Sequence, residues 1–428
     1  MRNMVYLPPE HLVMEKRALS PGTDPHPDPA AQARLERSRA IFLEGVGHFE
    51  AGRLEPARDC FEQALRLAPG RPSLLGNLGI TLFHLRRWEE AMPLLRQALA
   101  ADPANVEAWT CLGLACEAVG RWQEADDALG KALEIAPAQA ALWLARGGCR
   151  LRLGRTEDAM RDFDKAVEVA PQFGRAWSAR GSLLRELGRR EEAGLCFEKA
   201  IALGEDPELH AWFLAAVRDG AAPPKTPRRY VEGLFDDYSA DFDSHLLGPL
   251  KYRGHETLLR PLLQAGRHFR SVLDLGCGTG LCGKLLQGRA DGIDGLDVSR
   301  AMLEQARRTG AYRELIHDDL ESFLAAATRQ DDLVVAADVF GYLGDLEGVF
   351  RSTARILRPG GLLAFTVEVS PFREEVKLLP SLRHAHSEPY LRRIASSSGL
   401  RWREVRRGAL RQDQDNPVEA LYVYLERG

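Results

Sequence analysis

VLDLGCGTGLCG, running from Val272 to Gly283, is an apolar run that breaks into four glycines. Such a run reads as a short strand leaving into a tight turn, where a bare backbone can come close to a ligand. The stretch can be parsed in two registers. Gly278, Gly280 and Gly283 spell G-x-G-x-x-G, the glycine spacing of a dinucleotide turn. Counting from Gly276 gives a different turn, Gly276-Cys277-Gly278-Thr279-Gly280, with the acid Asp274 standing just before it. The choice of register fixes where the first strand ends and which nucleotide the turn would grip.

The surrounding pattern sets the fold. Val272–Leu275, Gly292–Leu296, Leu333–Ala336 and Leu362–Val367 are short apolar runs with helical stretches between them. That alternation predicts an α/β doubly wound, Rossmann-like sheet over residues 230–428. Ligands in such sheets lie beyond the C-terminal strand ends, so each exit is a candidate site. The second strand exits at Asp297-Val298, about 20 residues after the glycines, where an acid accepts ribose hydroxyls in either register. Three features favour the earlier register. Asp274 sits where a methionine ammonium needs a carboxylate, and a dinucleotide has no cation there. Counting from Gly278 would push the strand into Gly276 and Cys277. Asp318-Asp319-Leu320 then follows the next apolar stretch, where an acid can accept an adenine amino group.

Asp338-Val339 after the fourth strand and Leu357-Arg-Pro-Gly-Gly361 before the fifth complete an ordered set. The set resembles that of class I S-adenosylmethionine-dependent methyltransferases, over roughly residues 230–428. The resemblance implies S-adenosylmethionine as cofactor. Asp274, Gly276, Gly278 and Gly280 would border its methionine part and Asp297 its ribose. Met302 would pack on the adenine, with Asp319 or Asp318 at the amino group. Asp338 and Val339 would floor the site near the sulfonium, and Cys277, Val298 and Leu320 complete the expected contact set.

Upstream, the chain repeats every 34 residues. Ala57, Ala91, Ala125, Ala159 and Ala193 form one column, and Gly45, Gly79, Gly113, Gly147 and Gly181 a second. Small residues let two helices approach closely, and Pro69, Pro103, Pro137 and Pro171 stop each second helix. Gly52, Gly120, Gly154 and Gly188 fall where one helix must turn into the next. The pattern resembles the tetratricopeptide repeat, an all-α superhelix of helix pairs. It predicts repeats near 38–71, 72–105, 106–139, 140–173 and 174–207, a cap helix at 206–218, and a repeat domain of 36–218. Residues 1–35 read as a disordered Pro-rich leader, and 219–229 as a stiff linker. The whole chain is similar to bacterial predicted methyltransferases that carry such repeats. That likeness implies a protein or peptide partner on the concave face of the repeats.

Methyl transfer from a sulfonium needs alignment more than a fixed catalytic set, so a base has to be sought in the flanking segments. His386, in Arg383-His-Ala-His-Ser387, and Tyr238, in the aromatic stretch Tyr230, Phe235, Tyr238 and Phe242, are the candidates. Arg401, Arg403, Arg406, Arg407 and Arg411 read as a solvated hairpin face. A net charge of −4 gives no bulk case for nucleic acid. Seven cysteines without metal-ligand spacing predict free thiols and no metal site. The absence of an 18-residue apolar run leads to the expectation of a cytoplasmic chain with no membrane span. The acceptor is not legible. Recruitment of a protein substrate, methylation of a small molecule with the repeats used for oligomerisation or localisation, and a non-catalytic S-adenosylmethionine-binding scaffold all stay open.

Overall fold

The computed structural model describes residues 29–218, 223–238, 242–370, 375–413 and 416–428, without the side chains of Asp237, Tyr238, His245 and Asp413. The chain divides into two compact units, one ending at Glu205 and the other beginning at Asp206.

The first unit is built of paired helices, from Pro29–Glu50 and Leu54–Leu67 to Gly174–Glu186 and Arg190–Ala202. Its opening helix starts at Pro29, so the end of the expected leader is helical; the leader's residues 1–28 lie outside those described. The 34-residue columns have a direct steric cause. A Cβ added to Gly45, Gly79, Gly113, Gly147 or Gly181 would meet Phe61, Leu95, Leu129, Phe163 or Phe197 at 2.5–2.8 Å. Each glycine is the slot that one large residue of the paired helix fills. Trp109, Trp143 and Trp177 donate their indole N–H to the carbonyls of Pro103, Pro137 and Pro171 at 2.8–2.9 Å, locking each unit to the preceding turn. Asp126 and Asp162 are buried between repeats and held by Arg146, Arg150 and Arg155.

The helix Pro207–Val217, read from the sequence as a cap on the repeats, groups with the second unit. Trp212 and Phe213 on it pack against Tyr230 at ring separations of 4.8 and 6.0 Å. This aromatic packing ties the helix to the second unit.

Among the described residues the second unit carries one sheet of nine strands: β1 (Val272–Leu275), β2 (Ile293–Asp297), β3 (Glu314–His317), β4 (Asp331–Ala336), β5 (Leu357–Val369), β6 (Val376–Leu378), β7 (His384–His386), β8 (Leu400–Asp413) and β9 (Asn416–Arg427). The order is β3-β2-β1-β4-β5-β7-β6, with β9 antiparallel to β5 and β8 antiparallel to β9. Strands β1 to β5 are mutually parallel. Their exits therefore converge on one edge, and the order reverses between β1 and β4, the switch point at which such sheets bind ligands. Leu273, Val334 and Phe365 lie in a buried core on one face and Val272, Val335 and Ala364 in a core on the other, as covered parallel strands require.

Much of the expected linker is part of this unit. Residues 219–222 lie outside those described, but Pro224 accepts from the Gly344 and Asp345 amides at 2.8 and 3.0 Å. Thr226 donates its amide to the Tyr342 carbonyl at 3.0 Å, and the helix Arg228–Tyr238 follows at once. The segment runs as a strap along the turn after β4.

Candidate active site

β1 ends at Leu275, before the glycines, as the earlier register requires. Gly276, Gly278 and Gly280 all take positive φ, at 61°, 55° and 93°. A Cβ at Gly276 would lie 2.5 Å from Val339, whereas one at Gly278 would meet nothing within 4 Å. Gly276 thus seats the turn against the exit of β4, and Gly278 leaves open space above it. Gly280 starts the helix Leu281–Leu286.

The turn borders a cavity of about 590 Å³, within the range of cofactor sites. Asp274, Gly276, Cys277, Gly278, Asp297, Val298, Met302, Asp318, Asp319, Leu320, Asp338 and Val339 all line it. Gly280 is absent from the lining, because it packs against Thr309 and Tyr312.

Two acids dominate the cofactor-turn end. Asp274 is buried and receives the Tyr312 hydroxyl at 2.7 Å. Burial pushes its pKa up, the Tyr312 hydrogen bond opposes this and the Asp297 charge adds to it, leaving it at about 7. Asp297 is also raised by burial, although the amides of Gly278 (2.8 Å) and Ser299 (2.9 Å) stabilise its charge. Those amides pin the carboxylate beside the turn. Asp319 caps the helix Leu320–Ala326 by accepting from the Ser322 amide and hydroxyl, and Asp318 accepts the Asp319 amide at 2.7 Å. Each keeps one carboxylate oxygen outside these bonds.

Two helices close the cavity from the N-terminal side. Phe235 and Phe242 line it and meet edge to face at 5.9 Å. Asp236 accepts from the Ser299 hydroxyl at 2.6 Å and Asp243 from the Thr279 hydroxyl at 2.5 Å. The aromatic stretch is therefore tied to both cofactor-turn strands. Tyr230 belongs instead to the Trp212 cluster, and the Tyr238 side chain lies outside those described.

At the opposite end, Asp338 adopts φ 62° and its carboxylate takes Arg383 and Arg411. Both arginines also bind Glu368 on β5. Arg411 corrects the reading of the arginine run as a solvated face: on β8 it turns inward and lines the cavity. His386 is corrected as well. It is fully buried and absent from the cavity lining, with Nε2 on the Gly344 carbonyl at 3.1 Å. Burial pushes its pKa down to about 4, and its ring lies among buried residues away from the cavity. Among the described residues the histidine that lines the cavity is His255, stacked on Tyr252 at 5.4 Å, its pKa lowered by burial. No sequence motif marks it, because a lone His in an amphipathic helix reads as surface or core.

A methyltransferase-domain model matches residues 272–361, and tetratricopeptide repeat models match 42–106, 84–149, 117–183 and 174–206. Over 185 residues the chain is 30% identical to malonyl-[acyl-carrier protein] O-methyltransferase of Enterobacter lignolyticus (strain SCF1), covering 41% of this chain and 69% of that protein. The chain belongs to the S-adenosylmethionine-dependent methyltransferases. This methyltransferase is also 30% identical over 151 residues to trans-aconitate 2-methyltransferase of Paracidovorax citrulli (strain AAC00-1), covering 35% of this chain and 56% of that protein. Among solved structures it is similar to MamA (25% identity, TM-score 0.36, 38% of this chain and 95% of that one). A second is the N-methyltransferase NodS from Bradyrhizobium japonicum WM9 in complex with S-adenosyl-L-homocysteine (21% identity, TM-score 0.38, 46% and 98%).

Membership agrees with the earlier glycine register and gives S-adenosylmethionine as the cofactor. The residues present suit it: an open glycine cradle at Gly278, a buried acid at Asp274 with no cationic partner among the described residues, and a second acid fixed at the exit of β2. No helix among the described residues is long and apolar enough to cross a membrane.

Proposed function

We propose that this methyltransferase acts on an oxygen of a small acceptor and that its repeats recruit the protein that carries or delivers it. The observation behind this is one continuous cavity running from the cofactor turn to the exits of β4 and β5, lined by Phe235 and Phe242. One end has the acids a cofactor needs and the other has room and polar groups for an acceptor. Kinship with a methyltransferase acting on a carrier-protein-bound malonyl group supports an oxygen acceptor presented on a protein.

S-adenosylmethionine supplies an already activated methyl group. The residues of the chain mainly align the partners: Asp274 for the ammonium, Asp297 for the ribose, Met302 for the adenine, Asp318 or Asp319 for the amino group, and Asp338-Val339 beneath the reacting end. Alignment of this kind accounts for about 7–11 kcal/mol of a barrier. Repeats on the same chain raise the local concentration of whatever they hold.

The test is calorimetric titration of S-adenosylhomocysteine into the full chain, with NAD as control and Asp297→Ala as the specificity variant. Labelled methyl donor in lysate then reports the acceptor. Micromolar binding lost in the variant, with label on a macromolecular fraction, supports the reading. Label confined to free small molecules leaves the methyl transfer and overturns recruitment. Binding of NAD in place of S-adenosylhomocysteine overturns the whole.

A further inference from the structure

The cavity is chemically asymmetric. At the exits of β1 to β3 it presents carboxylates: Asp274, Asp297, Asp318 and Asp319. At the exits of β4 and β5 it presents two guanidiniums, Arg383 and Arg411, whose side chains are each 10% exposed. Burying two arginines is costly unless their charge is compensated, and the compensation is visible. Arg383 donates to Asp338 and Glu368, and Arg411 donates to Glu368 at 2.7 Å and to Asp338 at 3.5 Å. Two cations and two anions make the cluster neutral.

That balance constrains what can be docked beside it. Both arginines meet the same oxygens, Asp338 Oδ1 and Glu368 Oε1, so the two carboxylates are charge-compensated and an ammonium-bearing acceptor finds no uncompensated negative charge at this end. The donors, in contrast, are not exhausted. A guanidinium carries five N–H groups, and among the described residues neither Arg383 Nη1 nor Arg411 Nε makes a hydrogen bond. Arg383 is further held by Tyr342, whose ring lies 4.6 Å under its guanidinium carbon. Two fixed, planar guanidiniums, each with one unused nitrogen at the cavity wall, match a carboxylate, whose two oxygens can take one N–H from each.

We propose that Arg383 and Arg411 are the specificity-determining residues for the acceptor, and that they hold a carboxylate group of it as a binding handle. This rests on the reading of the cavity as the methyl-transfer site. The handle is not the methylated atom, so the acceptor class is a small molecule with a carboxylate in addition to its methyl-accepting oxygen.

The experiment uses the full chain saturated with S-adenosylhomocysteine, titrated with malonate, glutarate and trans-aconitate, with dimethyl glutarate as the uncharged control. At least one diacid should bind and the diester should not. Arg411→Gln should weaken diacid binding at least tenfold while leaving affinity for S-adenosylhomocysteine within twofold, and Arg411→Lys should recover part of the loss. Glu368→Gln releases one positive charge and should tighten diacid binding, a gain that no damage to the fold produces. If S-adenosylhomocysteine itself fails to bind, the reading of the cavity fails with it. If it binds and no diacid does, or if Glu368→Gln weakens the diacid as Arg411→Gln does, the carboxylate handle is overturned.

Discussion

Tyr312 donates its hydroxyl to the buried carboxylate of Asp274 at 2.7 Å, and this bond opposes the burial that governs how the cofactor end responds to pH. Burial holds the Asp274 pKa at about 7, well above the ordinary carboxylate range, despite the hydrogen bond. In the unfolded chain the same group ionises near pH 4. The folded protein therefore retains a proton that the unfolded chain has released, and its stability without ligand falls as pH rises from about 4 to about 7. Ligand binding runs the opposite way, because an ammonium needs the ionised form. Affinity for S-adenosylhomocysteine should rise by up to about tenfold per unit below pH 7 and level off above it. Calorimetry from pH 5.5 to 8 measures the bend. Tyr312→Phe should move it upward and Asp274→Asn should abolish it; an unmoved bend in Asp274→Asn would assign the titration to Asp297.

Gly276 and Gly278 share a left-handed backbone but not a neighbourhood, which separates folding from binding. Alanine at Gly276 adds a Cβ 2.5 Å from Val339 to a strained φ of 61°, and should cost about 2–3 kcal/mol or more. Alanine at Gly278 meets open space and should cost only the left-handed penalty of about 1–2 kcal/mol. Its methyl nevertheless occupies the cradle, so S-adenosylhomocysteine affinity should fall at least tenfold. Denaturant melts beside calorimetry read the two effects apart. Equal destabilisation by both substitutions would refute the distinction.

What the sequence revealed follows from what is local in it. The 34-residue columns, the strand that stops at Leu275 and the acid at each strand exit are short-range patterns, each with a steric or electrostatic cause, and twelve of the expected cofactor-contact residues line one cavity. The acceptor end was hidden because it is assembled from distant elements. Arg383 precedes β7, Arg411 lies in an arginine-rich strand whose neighbours face solvent, and Glu368 reads as a mid-strand residue without a motif. Only the pairing of β5 with β7 and β9, and of β9 with β8, brings them together. The contacts of the expected cap and linker could not be read for a related reason: Trp212 and Pro224 have their partners, Tyr230 and Gly344, beyond any local window.

The hydrogen bonds Ser299–Asp236 and Thr279–Asp243 tie the closing helices to the two turns that border the cofactor end. Neither acid is needed for the sheet, so Asp236→Asn together with Asp243→Asn should leave the melting profile almost unchanged. The helices would open more often, and release of S-adenosylhomocysteine should quicken about tenfold. Stopped-flow displacement measures that rate. A release rate equal to the wild type would mean that the aromatic contact of Phe235 with Phe242 closes the cavity unaided.

The repeats provide a test of the same logic on stability. Gly52, Gly120, Gly154 and Gly188 join the helices of four units at φ 71–77°, and the equivalent residue of the second unit is Arg86, at φ 60°. A left-handed non-glycine residue costs about 1–2 kcal/mol, and glycine gives back about 0.5–1 kcal/mol through its greater loss of freedom on folding. Arg86→Gly should therefore stabilise the repeat unit by about 0.5–1 kcal/mol. Gly154→Ala, where a Cβ meets nothing within 4 Å, should destabilise it through backbone strain alone, by a similar amount. Both effects are read as shifts of the denaturation midpoint at constant slope. If Arg86→Gly lowers the midpoint, the Arg86 side chain contributes more through its contacts than its backbone costs, and the turn is not the weak joint of the stack.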